Sequence, residues 1–100
     1  MDENRFIARR AHLLAEDIAN QHLVPVHEVF GKCREAHIVK ARHHLIVELY
    51  RAGLSTPSIG KIVNKDHSTV IAALKKNLGA DYVPNLHKAR GLELIRYRVA

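Results

Sequence analysis

Four hydrogen-bonding residues, Asp66, His67, Ser68 and Thr69, stand together in the second half of this 100-residue chain. An apolar pattern at helical spacing follows them, at Val70, Ala73, Leu74 and Leu78. A helix that opens with such side chains can present them to base edges in the major groove of a duplex. The chemistry they favour is therefore recognition by hydrogen bonding.

A second helix is predicted directly before this one. Ser55 or Thr56 can cap it, and Pro57 is tolerated in its first turn, where backbone amides lack an intrahelical partner. Its apolar side is formed by Ile59, Ile62 and Val63. The polar break 64–66 lets the chain turn and restart, with Asp66 or a neighbour as the next cap. The sequence therefore predicts a helix-turn-helix over residues 55–78, ended by Gly79.

The rest of the chain also has helical periodicity. A first amphipathic helix is marked by Ile7, Ala11, Leu14 and Ile18 and ends before Val24-Pro25. A short helical turn is expected over 27–30. The buried side of a long helix ending at Gly53 is marked by Ile38, Ala41, Leu45, Leu49 and Ala52. A last helix is expected from Asn85 to Tyr97, although Gly91 interrupts it.

These elements predict one all-α domain, a small helical bundle with a helix-turn-helix. We expect it to occupy residues 1–100, with a core over about 5–79 and a basic C-terminal extension over 80–100. The formal net charge is +6, and it is unevenly distributed. Residues 1–31 carry three basic and five acidic side chains, whereas residues 32–100 carry thirteen and five. Such a basic surface favours a polyanionic partner and a strong dependence of affinity on salt.

Other classes of protein have little support in the sequence. The lone Cys33 excludes an intramolecular disulfide, and no apolar run approaches the roughly 20 residues that span a bilayer. We therefore expect a cytoplasmic location and no membrane partner. A zinc site at Cys33, His37, His43 and His44 matches no common ligand spacing, and exposed or phosphate-facing histidines are the simpler interpretation. No nucleotide-binding motif or catalytic group is recognisable, so we expect no cofactor, no metal and no enzymatic activity.

The run from Ile59 to Lys76 closely resembles the signature of the C-terminal DNA-binding domain of DnaA, the bacterial chromosomal replication initiator. Where this family usually has Gly-Gly-Arg-Asp-His-Thr-Thr-Val, the chain has Val-Asn-Lys-Asp-His-Ser-Thr-Val at 63–70. Upstream, residues 29–32 and 38–43 are similar to the family's Gly-Lys stretch and its Val-Ala-Arg-Pro-Arg-Gln box. The resemblance extends over roughly residues 5 to 79 and implies a Trp-repressor-like architecture.

The resemblance also implies roles for individual residues. Base reading is expected from Lys40, Asp66, His67, Ser68 and Thr69, with Lys40 in the place of an arginine that enters the minor groove. Contacts to the DNA backbone are expected from Arg42, His43, Thr56, Pro57, Lys61, Lys65, Lys75 and Lys76. The family tends to have an apolar residue where this chain has Asn77, and we expect Leu78 to take over that packing.

The implied function is sequence-specific binding of double-stranded DNA at a DnaA-box-like element, in replication initiation or its regulation. This function would place the protein in the bacterial cytoplasm, associated with the nucleoid. Two alternatives remain open. The same scaffold could be a stand-alone transcriptional regulator, or it could be a protein-interaction module that docks a replication or transcription component through residues 5–22. Packing of the first helix on the core is the simpler explanation of that amphipathic segment.

Overall fold

The computed structural model describes residues 3–82, with side chains from residue 9 onward. Five helices follow one another: α1 (Glu3–His22), α2 (Val26–Val29), α3 (Ala36–Arg51), α4 (Thr56–Val63) and α5 (His67–Leu78), and a 3-10 turn (Gly79–Asp81) succeeds them. No strand occurs over residues 3–82, so the predicted all-α class is confirmed. The expected helix from Asn85 to Tyr97 and most of the 80–100 extension lie outside the described residues.

Helix α3 is the centre of the fold, because it packs against each of the other four helices. Its inward side chains include Ile38, Leu45 and Leu49, each completely buried. Helix α1 packs on α3 and buries Leu14 and Ile18. Helices α4 and α5 also pack on α3. The remaining buried apolar side chains are Ala11, Ala15, Ala19, Val24, Val29, Ala41, Ile46, Ala52, Leu54, Ile59, Val63, Val70, Ala73 and Leu74. The inward positions predicted for the first and third helices are buried wherever their side chains are described, whereas Ile62 and Leu78, predicted on the inner side of α4 and α5, are half-buried.

Helices α1 and α3 end in the same hydrogen-bonded motif but with different residues. At α3, the Gly53 N–H donates to the Tyr50 carbonyl and the Leu54 N–H to the Leu49 carbonyl, with φ of 97° at Gly53. At α1, the Leu23 N–H donates to the Asn20 carbonyl and the Val24 N–H to the Ala19 carbonyl. Leu23 has φ of 58°, and its side chain is 90% exposed. A leucine thus occupies a left-handed position that glycine suits better.

Replacing Leu23 with glycine should raise the free energy of unfolding by about 1 kcal/mol, because a Cβ in the left-handed region is sterically unfavourable and the exposed side chain contributes little burial. Chemical denaturation of wild type and Leu23→Gly measures the change. Gly53→Ala, at the equivalent position of α3, should change stability in the opposite direction. A less stable Leu23→Gly protein would mean that the leucine side chain has a packing role.

Candidate nucleic-acid interface

The turn between α4 and α5 is held by a close approach of two backbone segments. A Cβ added to Gly60 would lie 2.6 Å from the Lys65 carbonyl oxygen, a distance that real Cβ atoms do not tolerate. The Lys65 N–H donates to the Gly60 carbonyl at 2.9 Å, and Asn64 makes the turn with φ of 59°. Asparagine accepts this left-handed conformation more readily than most residues. The glycine at position 60 therefore sets how closely α5 follows α4.

The amino end of α4 is capped as the sequence predicted. Ser55 is the cap, and its Oγ accepts the Ser58 N–H at 3.4 Å. Thr56 is half-buried, while Pro57 and Lys61 are exposed. These three residues keep the surface position that a contact with a DNA backbone needs.

The amino end of α5 carries an exposed polar group. Asp66 is the cap residue by position, but its side chain makes no capping hydrogen bond. Asp66, His67, Ser68 and Thr69 are all exposed, whereas Val70 directly after them is completely buried. The apolar side of α5 is thus used for packing, and its first turn presents carboxylate, imidazole and hydroxyl groups to the outside. Together these side chains offer acceptors on the carboxylate and both donors and acceptors on the imidazole and hydroxyl groups.

Arg42, which the resemblance assigned to the DNA backbone, is instead part of the interior. Its side chain is 7% exposed. Its Nε donates to the Val29 carbonyl at 2.8 Å, and its Nη2 lies 2.9–3.1 Å from three further carbonyl oxygens, those of Glu28, Gly31 and Cys33. A guanidinium engaged in this way holds the end of α2 and the following loop against α3. The predicted role of Arg42 as a direct phosphate contact is therefore corrected to a structural one.

Lys65 is tied to the same loop. Its Nζ donates to the Gly31 carbonyl at 2.6 Å. Burial lowers the pKa of Lys65, and the charges of Arg42, Lys32 and Arg34 lower it further. The exposed Lys32 and Arg34 therefore lie near Lys65 and the helix-turn-helix turn. We call Lys32, Arg34 and Lys65 the loop cluster.

Lys32 and Arg34 were not among the residues predicted to contact DNA. The signal was present in the run Gly31-Lys32-Cys33-Arg34, where two cations follow a glycine. Its significance depends on the loop meeting the turn before α5, more than thirty residues later. Spacing along the chain does not reveal that contact.

Lys40 lies in a different place from the amino end of α5. It is exposed and lines a shallow depression whose other walls include His22 and His44 and, from the carboxyl half of α5, Asn77. His22 Nε2 and His44 Nδ1 are 3.0 Å apart. Burial lowers the pKa of His22, and the nearby His44 and Lys40 add to this effect. Asn77 is ten residues after His67, about 15 Å along an α-helix.

His43 connects α3 to the carboxyl half of α5. Its Nδ1 is 3.0 Å from the Asn77 Nδ2, which also donates to the Ala73 carbonyl at 2.7 Å. Burial lowers the pKa of His43, with smaller contributions from the charges of Lys76 and Arg42. Lys75 and Lys76 are exposed. Leu78 packs against the core, as expected from the polar residue before it.

The residues considered for zinc do not form a metal site in the described part of the chain. Over residues 9–82, no three His, Cys, Asp or Glu side chains are grouped so that they could hold a metal ion. Cys33 is a half-buried free thiol whose Sγ lies 3.9 Å from Glu35 Oε1. No described helix is both long enough and apolar enough to cross a membrane.

An α4–turn–α5 unit with a polar, exposed first turn on its second helix defines a helix-turn-helix domain of the DNA-binding class. Residues 12–76 match the family described as the bacterial DnaA protein helix-turn-helix. The chain belongs to this family.

A curated relative supports the same assignment. The chain is 35% identical over 68 residues to the chromosomal replication initiator protein DnaA of Mycoplasma pneumoniae. This alignment covers 65% of the chain and 15% of the relative, so the chain corresponds to a small part of that protein. No solved structure matches the chain significantly.

Substituting Arg42 by methionine should lower the free energy of unfolding by about 3 kcal/mol or more, because several buried carbonyl groups lose their charged donor. Denaturant titration measures this loss. Arg51→Met is the matched control, since Arg51 is exposed and its ion pair with Glu48 lies at the surface. If Arg42→Met kept full stability and lost only affinity for DNA, the structural role of Arg42 would be wrong.

Proposed function

We propose that this domain binds double-stranded DNA sequence-specifically, with the amino end of α5 in the major groove. One observation carries the proposal: Asp66, His67, Ser68 and Thr69 are exposed together at the start of a helix whose apolar side is already packed. These side chains match the donor and acceptor patterns of base edges. Membership of the bacterial DnaA helix-turn-helix family supports this proposal.

The recognition element we propose is a DnaA-box-like sequence, and the role is in replication initiation or its regulation. The name of the Mycoplasma pneumoniae relative, a chromosomal replication initiator, supports that role. A function as a stand-alone transcriptional regulator would use the same interface. Docking of a protein partner through residues 5–22 is less favoured, because Leu14 and Ile18 of this segment are already buried in the core.

Cationic side chains around α5 would contact the sugar-phosphate backbone. We assign this role to the exposed Lys61, Lys75 and Lys76, to the loop cluster, and to Thr56, Pro57 and His43. Contacts of this kind fix the orientation of the domain without reading sequence. They also release counterions from the duplex, so affinity should fall as the salt concentration rises.

A contact in the minor groove can come from Lys40, as the resemblance implies, or from Arg34 of the loop cluster. Both side chains are exposed. The planar, weakly hydrated guanidinium of arginine suits a narrow, negatively charged groove better than an ammonium group does. Measuring the affinity of Lys40→Ala and Arg34→Ala for duplexes with narrow and wide minor grooves distinguishes these two residues.

The proposed function is tested by fluorescence-anisotropy titration of the protein against a DnaA-box duplex and a scrambled duplex of equal composition. A preference of about a hundredfold at near-physiological salt is expected, within the range of sequence-specific binding. Equal binding of both duplexes at every salt concentration would contradict sequence-specific recognition.

In this assay, His67→Ala or Thr69→Ala should each cost about 1–3 kcal/mol against the specific duplex, as the loss of base contacts does. Affinity for the scrambled duplex should be almost unchanged. Leu13→Ala on α1, 37% exposed and remote in sequence, provides a surface control. An equal loss on both duplexes would mean that these residues do not read bases.

Lys75→Ala and Lys76→Ala should instead weaken binding to both duplexes alike. Each lost phosphate contact should reduce the slope of log affinity against log salt by about one. Titrations at four or more salt concentrations measure this slope. Slopes equal to that of the wild type would show that the carboxyl half of α5 does not lie along the backbone.

A further inference from the structure

The contact between His43 and Asn77 determines where the imidazole hydrogen lies. The Asn77 Nδ2 is 2.7 Å from the Ala73 carbonyl oxygen and 3.0 Å from the His43 Nδ1. An amide nitrogen has two hydrogens to donate and does not accept hydrogen bonds. One hydrogen is donated to the carbonyl, so the other is donated to the His43 Nδ1. That nitrogen must then be unprotonated, and the neutral ring carries its hydrogen on Nε2.

The surroundings of His43 also keep the ring neutral. The half-buried ring faces the charges of Arg42 from α3 and of Lys76 from α5, and the uncharged amide of Asn77. A proton added at Nδ1 would meet an Asn77 N–H and displace the hydrogen bond. Burial and these two cations lower the pKa of His43 in the same direction. At neutral pH the ring is therefore an uncharged donor through Nε2.

This Nε2–H has no acceptor among residues 9–82, and Lys76 provides a positive charge nearby. A neutral N–H beside an ammonium group suits an anionic oxygen, as found on a phosphodiester. We propose that Asn77 is a positioning residue of the DNA interface, which fixes His43 as a neutral Nε2–H donor to a backbone phosphate. This inference rests on the proposed function and adds a residue to it.

The role explains why a polar side chain suits position 77. With an apolar residue at position 77, the His43 Nδ1 would have no hydrogen-bond donor. Both tautomers of the neutral ring would then be accessible. Asparagine selects one tautomer without adding charge to the ring. The resulting phosphate contact stays intact above neutral pH, where a contact that needs an imidazolium ion would be lost.

The first experiment measures the tautomer directly. Nitrogen-15 NMR of the free, full-length chain should show His43 protonated at Nε2 and titrating below the ordinary range for histidine. Asn77→Asp is the decisive variant, because a carboxylate has the same shape but only accepts hydrogen bonds. It should move the His43 hydrogen to Nδ1 and raise the His43 pKa. An unchanged tautomer and pKa in Asn77→Asp would overturn the positioning role.

The second experiment measures the consequence for DNA. With a DnaA-box duplex at pH 8, Asn77→Asp should bind about three- to tenfold more weakly than wild type, because the His43 Nε2 then presents a lone pair to the phosphate. Relative affinity should recover as the pH falls through the raised His43 pKa, since the imidazolium ion again donates from Nε2. The wild-type contact should persist from pH 7 to 8.5.

A His43→Gln background provides the matched control for the added charge. Glutamine is a neutral donor without a titratable ring, so the His43→Gln protein is the reference with which its own Asn77→Asp derivative is compared, whatever its affinity relative to wild type. In the His43→Gln background, Asn77→Asp should weaken DNA binding only through its added negative charge. The affinity of this double variant relative to His43→Gln should therefore not vary with pH. If the loss of affinity caused by Asn77→Asp had the same pH dependence in wild type and in His43→Gln, the proposal would be overturned, although DNA binding itself would stand. Absence of duplex binding by the wild type would overturn the phosphate contact and the proposed function together.

Discussion

The hydrogen bonds of the buried Arg42 guanidinium hold together the parts of this domain on which the interface depends. Arg42 belongs to the central helix α3, and its acceptors belong to the end of α2 and the following loop. One of these acceptors, the Gly31 carbonyl, also accepts a hydrogen bond from the Lys65 ammonium group, which lies in the turn before α5. The Gly31 carbonyl therefore joins α3, the loop after α2 and the turn before α5. The orientation of α5 depends on this polar junction as well as on apolar packing.

The chemistry of the junction has an electrostatic consequence. Among residues 9–82, both Arg42 and Lys65 donate to neutral carbonyl groups and neither forms an ion pair with a carboxylate, so these contacts do not cancel their positive charges. The pKa of Lys65 is lowered mainly by burial, and the nearby positive charges of Arg42, Lys32 and Arg34 lower it further. Such an arrangement is unfavourable in the free protein. An anionic partner on this side would relieve it, which makes phosphate binding the natural complement of the junction.

The helices and their buried sides could be predicted because they depend on local periodicity, as Leu14, Leu45 and Leu74 illustrate. The Ser55 cap was predictable for the same reason, since its partner is three residues away. Arg42 was misassigned although it lies four residues after Ile38 and four before Ile46, in phase with the buried side of α3. The role implied by the resemblance outweighed the position of Arg42 in that pattern. The loop cluster required a contact between residues 31 and 65, which no local rule supplies.

The histidines illustrate a further limit of composition as a guide to charge. Eight are present, and the net charge of +6 counts them as neutral. For His22 and His43 the structure supports that choice, because burial and neighbouring cations lower the pKa of both. If His43 took up a proton readily, the charge at the proposed phosphate contact would change across the physiological pH range. Since both rings resist protonation, the constant positive charge close to His43 is that of Lys76 and Arg42. In the proposed interface, a neutral His43 can then contribute direction and hydrogen bonding to a phosphate contact instead of charge.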